Sequence, residues 1–352
     1  MAVRAVRVED AVGLKLFHDY TCIQPGFKGA VKRRGEIITV SDVDILKKCG
    51  HYYVYVYDET WSRPGYLHEI EAVEKFAHIV TGENIGIELN EEGKALLIAE
   101  KSGLLLVNGV ALKEINSTGI FVLVTRKTGS YVKRGDLVGI VDLVPLDVSV
   151  KIFEELEKKI AHYKPVIRVI ENRHPRIGVI ITGTEIVEGL RKDLAGPVVL
   201  KKISEYECTP GRLEYARDDI EEISGKILAL LLEHDAVIVT GGMSVDPTDK
   251  TPGAIASIAD EVVIYGVPIK PTTMSMVAYK GNKAIIGVSS GVIHYPEENI
   301  LDVVLPWIAS GVKIPREFLI SLGEGGLTGS FVEKYLSRKV FKPWKEKSGS
   351  SY

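Results

Sequence analysis

The sequence predicts an α/β protein in which a three-layer domain built on a mainly parallel sheet follows a β-rich amino-terminal region. Three observations predict it. Between residues 175 and 312, short continuous apolar runs alternate with amphipathic helical segments, as expected of strands covered by helices on both faces. Between about 94 and 150 the apolar runs are short and separated by Gly, Asn, Ser or charged turns, a β pattern. Three strand-like runs of the later region also end in loops of small and hydroxylated residues.

Taken in order, residues 1–60 read as a mixed α/β region, with helical spacing over 41–48 behind an N-cap serine and strand alternation over 51–57. Residues 61–150 form a β-rich module with strands at 95–98, 103–107, 119–125 and 137–141. A charged helix over 151–163 lies in a linker region, 151–174. The α/β domain, 175–312, has strands at 177–181, 236–239, 262–264 and 284–286. Between the first two lies a helix with Ile220, Ile223, Ile227, Leu228 and Leu231 on one face, opened by Asp218 and Asp219, whose charge suits the helix dipole. Pro296 opens a last amphipathic helix carrying Ile300, Val303, Val304 and Trp307. Residues 313–352 read as a partly disordered tail, with 345–352 its disordered end.

Composition bounds the function. Apolar residues make up 45% of the 352 and charged residues 26%, enough to bury a core. A formal charge of -3 argues against nucleic acid as the main partner. No apolar run approaches the roughly 20 residues of a membrane helix, and no secretory signal opens the chain, so no membrane partner is expected. Cys22, Cys49 and Cys208 are far apart, without a CxxC pair; neither a disulfide framework nor a zinc site is expected, and a cytoplasmic location fits.

In an open parallel sheet, ligands bind beyond the carboxyl ends of the strands. Here those ends carry Thr182, Gly183, Thr184 and Glu185; then Gly241, Gly242, Met243, Ser244, Asp246 and Asp249 in VTGGMSVDPTDKTP (239–252); then Ser289, Ser290 and Gly291. Small residues let backbone N–H groups approach a ligand, and nearby helix N-termini favour a phosphate by roughly 0.3 to 1 kcal/mol each. Glu185, Asp246 and Asp249 would repel that phosphate unless a cation such as Mg²⁺ intervenes, or unless they read the N–H edge of a pterin or purine. Any one such loop is commonly a plain tight turn, with Thr251-Pro252 a helix start and the aspartates solvated. Three at corresponding strand ends favour a shared anionic-ligand site.

ITGTEI (181–186), DLAGP (193–197), RDD (217–219) and TGG through DKTP (240–252) together resemble the molybdopterin-binding domain shared by molybdopterin adenylyltransferases and molybdotransferases, over about residues 175–310. The resemblance implies a three-layer fold and contacts to the pterin dithiolene phosphate from Thr182, Gly183, Glu185, Gly241, Gly242, Ser244 and Ser290. It places Asp249 at the family's loop aspartate, which implies a role in catalysis or in Mg²⁺ or pterin-nucleotide handling; beside it, Asp246 is the second candidate for Mg²⁺, and Lys270 is expected to offset phosphate charge. It implies a molybdopterin or adenylated-pterin ligand, a molybdoenzyme acceptor and a homodimer. The sequence departs from the molybdotransferase pattern in three places. QPGFKG (24–29) stands where a DNSAMDGYA-type loop is expected, SSGV (289–292) replaces a PGNP-like loop, and KPTTM (270–274) keeps only the first Lys-Pro of KPGKP.

Three functions follow: an enzyme of molybdenum cofactor assembly, resembling a molybdotransferase or adenylyltransferase; a non-catalytic cofactor carrier, chaperone or sensor; and a CinA-like nucleotide-processing protein. None of the eight histidines, His18, His51, His68, His78, His162, His174, His234 and His294, shows metal-ligand spacing. His294, near a candidate loop, reads as a surface or packing residue, and Met274 and Met276 as pocket wall or core.

Overall fold

The computed structural model describes residues 3–57, 65–90 and 93–341. The chain divides into two compact units, residues 1–128 with 132–170 and residues 129–131 with 171–352. No helix of the described residues is long and apolar enough to cross a membrane.

The first unit begins with a small module. Its strands Val3–Arg7 and Tyr53–Tyr57 pair antiparallel. In the second, Val54 and Val56 point inward and Tyr53 and Tyr55 outward, the period of two that a half-buried strand requires. Helix Val40–Lys48 starts earlier than expected, because Thr39 and Asp42 form a reciprocal capping box ahead of Ser41. The hairpin strands Tyr20–Gln24 and Phe27–Lys32 carry Cys22, which forms a disulfide with Cys49 across a Cα separation of 5.0 Å. That corrects the expectation of three separate thiols. Only Cys208 is free, and burial pushes its thiol up to about 12. The reducing-compartment argument therefore loses its support from cysteine usage.

Further along this unit, strands Ile85–Leu89, Ala95–Ala99, Leu137–Leu143 and Phe121–Thr125 form an antiparallel sheet in that spatial order. Helix Glu69–Val80 lays Ala72, Val73, Phe76 and Val80 on its core, where Phe76 stacks on Phe121 with centroids 4.1 Å apart. The charged helix expected in the linker region, observed as Val150–Ile160, packs Phe153, Leu156 and Ile160 into this core.

The second unit holds a six-stranded sheet whose strands are numbered from the start of the unit: β1 (Arg176–Thr182), β2 (Thr209–Ala216), β3 (Ala236–Thr240), β4 (Glu261–Tyr265), β5 (Met276–Lys280) and β6 (Lys283–Val288). The order is β2-β1-β3-β6-β5-β4. The first four are parallel, and β5 and β4 close the sheet antiparallel. All five residues of β3 are buried, as a continuous apolar run in a central parallel strand must be. β2 escaped the sequence reading because Pro210, Gly211 and charged residues interrupt it, a composition tolerated at a sheet edge.

Four helices cover this sheet: α1 (Ala195–Glu205), α2 (Ile220–Glu233), α3 (Thr251–Ile258) and α4 (Ile300–Ser310). Ile223, Ile227 and Leu230 of α2 and Ala254 and Ile255 of α3 share one core with Ile180, Val237, Val239 and Ile285, each large side chain stabilising by roughly 1.5 to 3 kcal/mol. Gly178 lets α2 approach, since a Cβ there would lie 3.1 Å from Leu230 Cδ1. α1 packs on β1 and β2 and meets α4. α4 begins at Ile300 rather than Pro296, because Asn299 and Asp302 form its capping box. Beyond 312 the expected tail carries two helices, α5 (Arg316–Ser321) and α6 (Gly329–Phe341), with Leu319 and Leu322 buried. Residues 345–352, expected as a disordered end, lie outside the described residues.

Candidate functional site

At the carboxyl ends of β1, β3 and β6 a cleft of about 500 Å³ opens. Its shape follows from contacts too close for side chains. Gly241 has φ +108°, and a Cβ there would meet Thr182 O at 2.4 Å and Thr182 Oγ1 at 2.5 Å. Gly242, at φ +55°, turns the chain again beneath Thr251 and Asp218. The loops are then tied together. The Thr251 hydroxyl donates to Gly241 O at 2.8 Å and lies 3.3 Å from the Thr182 hydroxyl, and Gly241 N donates to Val288 O at 3.4 Å. Thr251 opens α3 with Pro252 next, so one residue starts the helix and fixes the loop.

A second tie comes from Asp218. Its Oδ2 accepts from Thr184 N at 2.8 Å and from the Thr184 hydroxyl at 3.0 Å. Asp219, not Asp218, caps α2 by accepting from Glu222 N. Asp193 accepts from Ala195 N and Gly196 N at the start of α1 and from the Tyr215 hydroxyl at 3.2 Å. Burial, then Asp193, raises the Tyr215 phenol above its ordinary value. Asp249 Oδ2 accepts from Ser244 N at 2.6 Å. Glu185 Oε1 lies 3.4 Å from Arg191 Nη1. Every carboxylate lining the cleft thus has a partner within the chain. Lys192 has none among the described residues, and neither does the buried Thr240 hydroxyl.

Of the sequence-predicted residues, the structure brings Thr182, Gly183, Glu185, Gly241, Gly242, Asp249 and Ser290 to the cleft. Others lie elsewhere. Met243 is buried in the core, with Cε and Sδ against Gly287. Thr184 serves as the clamp to Asp218, and Ser244 as the donor that fixes Asp249. Asp246 is exposed and off the cleft; hydrogen bonds from the Thr248 hydroxyl and amide hold its carboxyl below the usual range. Of the expected Asp246–Asp249 pair only Asp249 lines the cleft, and the described residues contain no group of three or more His, Cys, Asp or Glu able to hold a metal. Lys270 is exposed and outside the lining, its amide bonded to Gly326 O at 2.7 Å. Gly291 faces Pro271 O, and Ser289 also lies off the lining.

The cleft adds residues that sequence reasoning missed as site residues: Arg191, Lys192, Asp193, Thr240, Asp218 and His294. Asp193, Thr240 and Asp218 sit inside motifs already visible, whereas nothing in the sequence singles out Arg191 or Lys192. His294, read as a surface or packing residue, lines the cleft wall.

A family model described as "Probable molybdopterin binding domain" matches residues 178–309, and one for a domain of unknown function, DUF8806, matches residues 5–58. A molybdopterin molybdenumtransferase of Staphylococcus epidermidis is 29% identical over 124 residues, covering 33% of this chain and 30% of the relative. One from Staphylococcus aureus is 26% identical over the same length and shares. The chain thus spans about 30% of the length of the curated relatives it matches. Among solved structures, the molybdopterin biosynthesis enzyme MoaB of Thermus thermophilus matches with 19% identity and a TM-score of 0.34, covering 40% of this chain and 98% of its own. The tungsten cofactor synthesizing protein MoaB of Pyrococcus furiosus gives 18%, 0.31, 39% and 93% in the same measures. The strand-end glycine loops lie within the 178–309 segment, which matches the model of the molybdopterin-binding domain family.

Proposed function

We propose that the strand-end cleft binds molybdopterin, free or adenylated, and that the protein acts in molybdenum cofactor biosynthesis, handling the pterin as a molybdotransferase does. The observation that carries this reading is the fixed pair of loops around Gly241 and Thr182, which opens a preformed 500 Å³ cleft of small-ligand size at the strand ends. Lys192 supplies charge for the phosphate in the role expected of Lys270, and Ser290 supplies a hydroxyl. Where Mg²⁺ accompanies the phosphate, Asp249, which lines the cleft, would be the carboxylate that meets it. A cytoplasmic, dimeric protein handing the pterin to a molybdoenzyme belongs to the same reading.

Mass spectrometry of small molecules released from gently purified protein tests it. A pterin phosphate or its adenylate is expected, and it should be lost in Asp249→Ala. Retention of only unrelated metabolites, or an unchanged pterin load in the variant, sinks the corresponding assignment. A second reading, a carrier without catalysis, is favoured by the engagement of each lining carboxylate within the chain. Pterin transfer to an apo-molybdoenzyme without adenylate consumption selects the carrier.

A further inference from the structure

A second cleft, of about 450 Å³, opens at the opposite end of the same sheet. Its floor is formed where β1, β3 and β6 begin, at Pro175, Ala236, Lys283 and Ala284. β3 runs five residues between the two ends, roughly 16 Å at about 3.3 Å per residue, so the two clefts are separate sites.

The chemistry of this cleft is the reverse of the first. Arg173, Lys283 and Lys313 line it against a single carboxylate, Asp235, whose Oδ2 already accepts from Arg176 N at 2.7 Å. The Tyr279 hydroxyl accepts from Ile314 N at 2.9 Å. Lys283 Nζ donates to Leu231 O at 2.5 Å, near the end of α2. Lys313 sits 4.9 Å above the Tyr279 ring and meets Glu261 at 3.3 Å, with both side chains about half exposed. Such a surface pair is worth little and gives way to a better acceptor. The Arg173 guanidinium lies over Gly311, where a Cβ would come within 2.9 Å of Nη1. Neither its side chain nor the Asn282 amide has a hydrogen-bond or ion-pair partner among the described residues. The negative end of α4, at Ser310, takes a small part of the Arg173 charge. Donors still exceed acceptors, and what completes the cleft is a ligand that brings acceptors and negative charge.

We propose that this second cleft binds a small organic phosphate. The dianion lies against the planar fork of Arg173, with Lys313 and Lys283 beside it, and the Asn282 amide donates to a neighbouring oxygen. Arginine presents paired N–H donors that match phosphate oxygens, and lysine adds charge without fixing geometry. The cleft volume suits a body of mononucleotide size. This site is independent of what occupies the first cleft.

The test titrates the full chain with inorganic phosphate and with AMP at low ionic strength. The readouts are calorimetry and the indole N–H resonance of Trp307, a residue of the cleft wall, assigned with Trp307→Phe. Saturable binding that moves this resonance is expected. Arg173→Met should weaken it by about tenfold or more, as loss of a charge-assisted hydrogen bond does, and Lys313→Met severalfold. Asp249→Ala, in the other cleft, should leave the Trp307 response intact. Lys313 is exposed, so its variant keeps the test open should Arg173→Met fail to fold. Three results overturn the proposal: no response of Trp307 to either probe, unchanged affinity when Lys313 is replaced, or loss of the Trp307 response in Asp249→Ala.

Discussion

The strand-end loops of the second unit and the small module at 3–57 in the first are ordered by different kinds of constraint. In the loops, backbone conformation dictates residue type: Gly183, Gly241 and Gly242 occupy positive φ, and hydroxyls of Thr182, Thr184 and Thr251 tie neighbouring segments. In the amino-terminal module, order comes from distant partners. Cys22 and Cys49 are 27 residues apart, and His18 reaches Glu69 across 51. Local constraint is written in the identity of a residue, whereas a distant partnership is written in two residues that look ordinary separately.

The largest effect should come from breaking the loops. Gly241→Ala sets a methyl group 2.4 Å from Thr182 O at φ +108°, so the loop must move. We expect a loss of about 3 kcal/mol or more in stability by denaturant unfolding, with loss of pterin retention. Gly266→Ala is the control, since φ is +88° but nothing lies within 4 Å of its added Cβ. It should cost only the backbone strain, about 1 to 2 kcal/mol. Equal costs at the two positions would show that contact with Thr182 does not shape the cleft.

The amino-terminal module breaks in another way. Reduction of the disulfide, or Cys22→Ser, releases a loop of 27 residues. The chain-entropy model gives about 3 to 4 kcal/mol for a loop of this size. The melting transition of the first unit should fall while ligand retention by the second is unchanged. A loss of retention on reduction would break the comparison between the regions.

The same contrast explains what the sequence allowed. β1, β3 and β6 were legible because central parallel strands bury both faces and so read as unbroken apolar runs. β2 was not, because an edge strand tolerates Pro210 and Gly211. In the cleft, the glycines and Asp249 were legible from their loops. The role of Asp218 was not, since an acid before a helix reads as dipole compensation until Thr184 is seen opposite it. That Lys270 is exposed and off the cleft lining was not legible, because its Lys-Pro pair gives no indication of where the chain carries it.

A smaller effect is expected at that clamp. Asp218→Asn keeps the shape but gives up the charge that receives the Thr184 amide and hydroxyl, two bonds of 2.8 and 3.0 Å. Each charge-assisted bond contributes roughly 1.5 to 3 kcal/mol, and part survives with the amide oxygen as acceptor. We expect about 1 kcal/mol of stability and a severalfold weaker hold on pterin. Unchanged retention would confine Asp218 to folding.

The smallest effect concerns proton binding in the first unit, where two neighbouring histidines work in opposite directions. The hydrogen bond to Glu69, at 2.7 Å, raises His18 above its ordinary value. Its stabilisation is therefore fully present below the unfolded pKa of about 6.5 and is lost as pH rises through the raised value. Burial, and then the Arg34 guanidinium, lowers His68 to about 4. The neutral His68 ring thus contributes stability above about 6.5 that is lost as pH falls towards 4. His18→Gln should then cost stability at pH 6 and almost none well above the raised value, read from the melting transition that reducing agent identifies as the first unit. In a His68→Gln variant, the loss on acidification between 6.5 and 4 should shrink, while the cleft of the second unit holds its ligand as before. A His18→Gln cost equal at pH 6 and pH 9 would mean that the ring serves by packing on Tyr20, whose centroid is 5.9 Å away, and not by its charge.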